Sequence, residues 1–246
     1  MLLIKNRKVQ ISAAAVLLCL ILVFIIIIAQ DNDETSRSQA IITEKQEAGF
    51  TFFDMGGYTP YTDNLREELQ QMLGSDVLET KSTIDLTTNY IGFLKSYFPE
   101  IHRLNMKLND KTGARVEHNV IKLTYRYALK KNTPFFYIEL VFSNYSKKPL
   151  YFKINAKKEA VDIIDEIREK YGEPQKIEIS ETRGTAFKWE RNNDVFVISK
   201  KKDRFGFPEF HLMIYFIENI KELISIEDKE RTQREEIRKK AVRKAF

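Results

Sequence analysis

The chain has 246 residues and a mass of 29.0 kDa, with 40 Lys and Arg against 35 Asp and Glu, one Cys and a mean hydropathy of −0.37. That length suits one ordinary domain or two small ones, and 43% hydrophobic with 12% aromatic residues excludes intrinsic disorder for most of it. A single cysteine excludes a disulfide framework and a Cys-based zinc site.

Residues 1–8 form a short basic start with Lys5, Arg7 and Lys8, and Val9 to Ala29 is a run of twenty-one residues without a charge. At 1.5 Å per helical residue, such a run crosses a hydrocarbon core of about 30 Å. Cations on the short leading side hold that side in the cytoplasm. Residues 9–29 therefore read as a single-pass signal-anchor helix. The remainder is expected to be exported, most simply from a bacterial inner membrane into the periplasm. A signal peptide cut after Ala29 is the alternative, but the apolar core of such peptides is roughly 7–15 residues, shorter than this run. Cys19 follows Leu18 rather than a small residue, which argues against a lipoprotein.

Charge then divides the chain. Residues 30–49 hold five acids and two cations and read as a polar linker. Residues 50–228 balance with 27 charges of each sign, whereas 229–246 hold eight cations and three acids. The pI of 9.0 thus describes the tail, not the domain.

The expected domain spans 50–226. Phe50, Phe52, Phe53, Tyr58 and Tyr61 surround Gly56-Gly57 and suggest an aromatic-packed entry. Thr62 or Asp63 can cap a helix with Leu65, Leu69, Met72 and Leu73, stopped by Gly74. Tyr90, Leu94, Tyr97, Phe98, Ile101, Leu104 and Leu108 share a second helical stripe. Pro99 interrupts it, predicting a kink or a fresh start. The period then changes to two. Ile121, Leu123, Tyr125, Tyr127 and Leu129 alternate with polar residues, followed by Phe136, Ile138, Leu140 and Phe142, then Leu150, Phe152 and Ile154. Asn155 is expected to cap a helix running from Ala156 to Tyr171, ended by Gly172 and Pro174. Strands follow near 175–180, 185–190, 194–199 and 209–216. The fold class is α+β, a mostly antiparallel meander sheet covered by amphipathic helices on one face. Helix, glycine and strand occur at both 65–86 and 163–179, which fits either a decayed internal repeat or shared capping chemistry.

Motifs for chemistry are lacking. His102, His118 and His211 are far apart, with no second ligand at helical spacing, so no metal or cofactor is expected. No Gly-flanked serine elbow occurs, and Gly56-Gly57 lacks the later glycine and lysine of a phosphate loop. Sequence alone leaves open a carboxylate pair assembled in space.

One charge pattern stands out. If successive strands reverse direction, Lys130 and Lys131 share an end of the sheet with Lys157 and Lys158 at the expected helix start. Arg183, Lys200, Lys201, Lys202 and Arg204 return to that end. The helix start would add unpaired N–H groups that attract anions. This edge reads as an anion-binding surface, or alternatively as solvated turns in which lysine protects the sheet. Residues 227–246 form a basic helical tail with Glu–Lys and Glu–Arg pairs four apart. Its weak second stripe, Ile237, Ala241, Val242, Ala245 and Phe246, suits a membrane or partner contact, or a solvated helix.

Two classes of function fit. One is a membrane-anchored, extracytoplasmic binding or scaffolding module of the cell envelope, contacting the membrane through 9–29 and an envelope protein or anionic polymer. The other is a tethered envelope hydrolase built on dispersed carboxylates. Nucleic acid is a weaker partner, because it would require the reverse topology.

Overall fold

Local rules account for the helices. Thr62 Oγ1 accepts the Leu65 N–H at 3.1 Å and opens α1 (Asp63–Leu73). Gly74 closes α1 at φ +88°, a region that favours glycine, and donates its N–H to the Gln70 carbonyl. Gly172 closes α4 (Ile163–Tyr171) in the same way, at φ +86° and with its N–H on the Arg168 carbonyl. Between them, α2 (Phe93–Tyr97) stops and α3 (Pro99–Leu108) starts afresh with its proline in the first turn. α5 (Ile217–Ala245) ends the chain as one unbroken helix.

The computed structural model describes residues 49–246 apart from 111–113, 158–159, 161, 180–183 and 204. The expected membrane segment and almost all of the linker lie outside the described residues. Among the described residues, no helix is long and apolar enough to cross a membrane.

Among the described residues, ten strands complete the fold: β1 (Asp76–Glu79), β2 (Ser82–Thr83), β3 (Glu117–His118), β4 (Val120–Tyr125), β5 (Phe135–Ser143), β6 (Pro149–Ala156), β7 (Gln175–Ile179), β8 (Gly184–Arg191), β9 (Asp194–Lys202) and β10 (Pro208–Tyr215). Eight form one sheet in the order β1-β4-β5-β6-β10-β9-β8-β7, antiparallel throughout, and β2 with β3 forms a separate two-stranded antiparallel sheet. The α+β expectation holds. The helix–glycine–strand likeness also extends further than expected. From edge to centre, α1-β1-β4-β5-β6 repeats the topology of α4-β7-β8-β9-β10, and the halves meet at the β6–β10 pair. Residues 80–119 are inserted in the first half.

Three expectations need correction. Helices cover both faces of the sheet, not one. α1 (Leu69, Leu73), α4 and the entry residues Phe50 and Met55 pack on one face. On the other lie α2, α3 and the first turns of α5, through Phe93, Leu94, Ile101, Leu104, Ile220 and Leu223. The insertion supplies most of that second cover, which a period-two pattern read strand by strand does not register. Secondly, the first long strand stops at Tyr125, and a 3₁₀ turn (Ala128–Lys131) leaves Tyr127 57% exposed. Thirdly, Asn155 is a strand residue paired with His211, and the helix begins at Ile163, after Asp162, whose side chain makes no capping hydrogen bond.

Candidate functional site

The ladders assign each predicted cation to an end of the sheet. Lys130 and Lys131 lie in the 3₁₀ turn between β4 and β5. Lys157 follows Ala156, the last residue of β6, which pairs with Phe210 at the start of β10. Lys202 pairs with Pro208 where β9 turns into β10, two residues beyond Lys200. Lys130, Lys131, Lys157, Lys200, Lys201 and Lys202 therefore gather at one end, as the alternating strand directions predicted. Lys158, Arg183 and Arg204 lie outside the described residues.

Their surroundings differ. Lys130 Nζ stands 4.8 Å from the Tyr127 ring centroid, Lys157 Nζ 5.2 Å from Phe136, and Lys200 Nζ 5.7 Å from Phe210. Strand alternation turns Lys201 to the opposite face from Lys200 and Lys202, where it lies 3.6 Å from Glu209 Oε2. The expected anion-attracting helix start is not beside Lys157. α4 begins six residues later, and its first turn carries Asp165 and Glu166, which suit the positive end of the helix dipole.

The sequence reading passes over the apolar part of this end. Phe205 and Phe207 flank Gly206 at the β9–β10 tip and are 68% and 52% exposed. Asp203 fixes the turn. Its Oδ1 accepts the N–H groups of Phe205 and Phe207 at 2.8 and 2.9 Å, and its own N–H donates to the Phe207 carbonyl at 2.8 Å. Two phenylalanines inside a turn otherwise made of Lys, Asp, Arg and Gly were the available signal.

A second polar region lies on the sheet face that carries α2 and α3. Tyr137 and Tyr151 donate their hydroxyls to the two oxygens of Glu139 at 2.6 and 2.7 Å. Lys153 and Asn155 follow on β6, Glu209 and His211 on β10. His211 Nδ1 is 2.9 Å from Asn155 Oδ1, while Nε2 is buried 3.5 Å from Glu209 Oε2, outside hydrogen-bond geometry. Burial pushes His211 down to about 4; Glu209 opposes this and Lys201 and Lys153 add to it, so the ring is neutral at pH 7. The segment before α2 borders this face, with Tyr215 Oη on the Leu86 carbonyl and Ser199 Oγ on Asn89 Oδ1. Polar residues two apart on each strand marked the region, but they read as a solvated face.

At the opposite end of the sheet, His118 joins three elements. Its Nε2 lies 2.7 Å from the Leu108 carbonyl at the end of α3, and its Nδ1 lies 2.6 Å from Glu227 Oε2 on α5. A carbonyl only accepts, so Nε2 carries a proton, and the carboxylate calls for one on Nδ1 as well. Burial alone would lower this histidine, but the Glu227 hydrogen bond and charge, with the Leu108 carbonyl, raise it. Glu227 is therefore committed to the domain and not to Arg231, which pairs with Asp228.

The two acids of this polar region, Glu139 and Glu209, do not converge. Glu139 and Glu209 stand two strands and four residues apart, about 16 Å between backbones, whereas glycosidase carboxylates sit roughly 5–10 Å apart. Among the described residues, no group of three His, Cys, Asp or Glu side chains could hold a metal ion. The chain matches no protein-family model, no curated protein and no solved structure.

Proposed function

We propose that the chain is a membrane-anchored, extracytoplasmic binding or scaffolding module of the cell envelope that works by contact with an anionic surface. One observation carries this reading: three separate chain segments bring six lysines to a single end of the sheet. Three of them, Lys130, Lys157 and Lys200, hold their ammonium groups beside aromatic rings and without a carboxylate partner among the described residues, a disposition that leaves their charge available to anions. The apolar run 9–29 supports the anchoring, and the cations before it support the orientation. Against a hydrolase stand the separation of Glu139 from Glu209 and the engagement of both Glu139 oxygens by tyrosine hydroxyls.

Binding of the full chain to vesicles containing phosphatidylglycerol tests the contact. Lys200→Ser, Lys201→Ser and Lys202→Ser together should weaken it and flatten its salt dependence, because about three fewer counterion-linked contacts remain. Unchanged binding across a salt series would refute the basic end as the contact surface. Protease added to spheroplasts should cut the C-terminal portion; protection until lysis would refute the exported orientation.

A further inference from the structure

We infer that the β9–β10 hairpin inserts Phe205 and Phe207 into the interface of a bilayer containing anionic phospholipid. The inference rests on the anionic contact proposed above and names its partner. A soluble polyanion would reward the lysines but gain little from the exposed apolar surface of the two phenyl rings. A bilayer interface takes both, with rings at the acyl boundary and ammonium groups among the headgroups.

Three features of the tip fit that task. The Asp203 carboxylate holds the backbone on either side of Gly206, so both rings are presented without ordering the loop on contact. Lys200 and Lys202 lead into the tip on one face, and Lys157 stands beside them at the end of β6. Tyr127 and Leu129, also exposed, lie at the β4–β5 connection three strand spacings away, about 14 Å, giving the rim a second apolar point on a flat surface.

The tip also faces away from the chain entry. A Cβ on Gly49 would come within 3.0 Å of Asp194 Oδ2, which places the entry at the first residue of β9, while the hairpin follows its last. The strand between them spans about 30 Å. The hairpin and the point where residue 49 enters the domain thus lie at opposite ends of β9.

The test uses the full chain in phosphatidylcholine nanodiscs, with Cys19→Ser and an environment-sensitive fluorophore on Phe205→Cys. Added vesicles of phosphatidylcholine and phosphatidylglycerol should shift the emission to the blue, and nitroxide-labelled lipid should quench it. Vesicles of phosphatidylcholine alone should do neither. Without the label, Phe205→Ser with Phe207→Ser should weaken vesicle capture by about tenfold and leave binding to inorganic polyphosphate unchanged. Capture with the fluorophore still in water would overturn the insertion. If the triple lysine variant then weakens binding to both vesicles and polyphosphate, only the bilayer assignment falls; if it changes neither, the anionic contact falls with it.

Discussion

Two neighbouring rows of the same sheet make opposite use of one backbone. On the α1/α4 face, Leu123, Leu140, Phe152, Ile214, Phe196 and Trp189 stand side by side across six strands, all buried. One residue along each strand, on the other face, the row reads Thr124, Glu139, Lys153, Met213, Val197 and Lys188. The first row contributes stability through burial and shape. The second satisfies two of its three charged members by geometry: Glu139 is held by two hydroxyls, and Lys188 pairs with Glu190 at 2.6 Å. Side-chain parity thus separates, at this level of the sheet, a row that is apolar throughout from one that sets charged groups among buried apolar ones.

The largest difference should appear in the apolar row. Phe152 is fully buried and touches the rings of Phe52, Phe142 and Phe216. Phe152→Ala should cost about 3–5 kcal/mol in urea unfolding of the full chain, from lost burial and a residual cavity. A cost below about 1 kcal/mol would mean that the two rows do not differ as their packing implies.

The same contrast explains which parts of the fold could be read from sequence. The Thr62 cap, the Pro99 restart, the Gly74 and Gly172 stops and the strands after 175 each follow from a few adjacent residues. The second helical layer does not. Phe93, Ile101 and Leu104 announce an amphipathic helix, but only the long-range packing of residues 80–119 assigns it a face. Similarly, Asn155 looks like a helix cap in its local setting and becomes a strand residue because β10 offers it a ladder partner. The lysine cluster was accessible because strand reversal alone sets chain ends. Phe205 and Phe207 were not, since nothing in the periodicity distinguishes a presented ring from a buried one.

A smaller effect should separate the faces by pH. Asp194 belongs to the apolar face by parity and caps α5 by accepting the Ile217 N–H. Burial raises its carboxyl to about 7, with the amide opposing and Glu218 adding to the rise. The folded state then holds a proton that the unfolded state has released, so this group costs stability progressively as pH climbs from about 4 to 7. His211, on the polar face, has the reverse sign. Its ring stays neutral in the fold until about 4, whereas the unfolded ring protonates near 6.5, so its contribution is lost as pH falls through that window. Asp194→Asn should remove the first slope and His211→Gln the second, measured as the urea midpoint between pH 4 and 7. Variants with the wild-type slope would show that neither group is shifted by its burial.

The smallest effect concerns Lys153, in the middle of the polar row. It is half-buried between Glu139 and Met213 on the neighbouring strands, and among the described residues no carboxylate lies within ion-pairing distance of its ammonium. Its cross-strand neighbour Glu139 is already occupied by Tyr137 and Tyr151. The ammonium therefore gains little from the fold beyond the packing of its stem, which a methionine reproduces in length and flexibility. Lys153→Met should change stability by less than about 0.5 kcal/mol, in either direction. The charge also bears on His211, which Lys153 helps to hold down, so the substitution should move the histidine titration upward, read from its ring resonances by NMR. A stability loss above about 1 kcal/mol would instead make Lys153 part of a cooperative network with Glu139, and the polar row would then hold the sheet together as its apolar neighbour does.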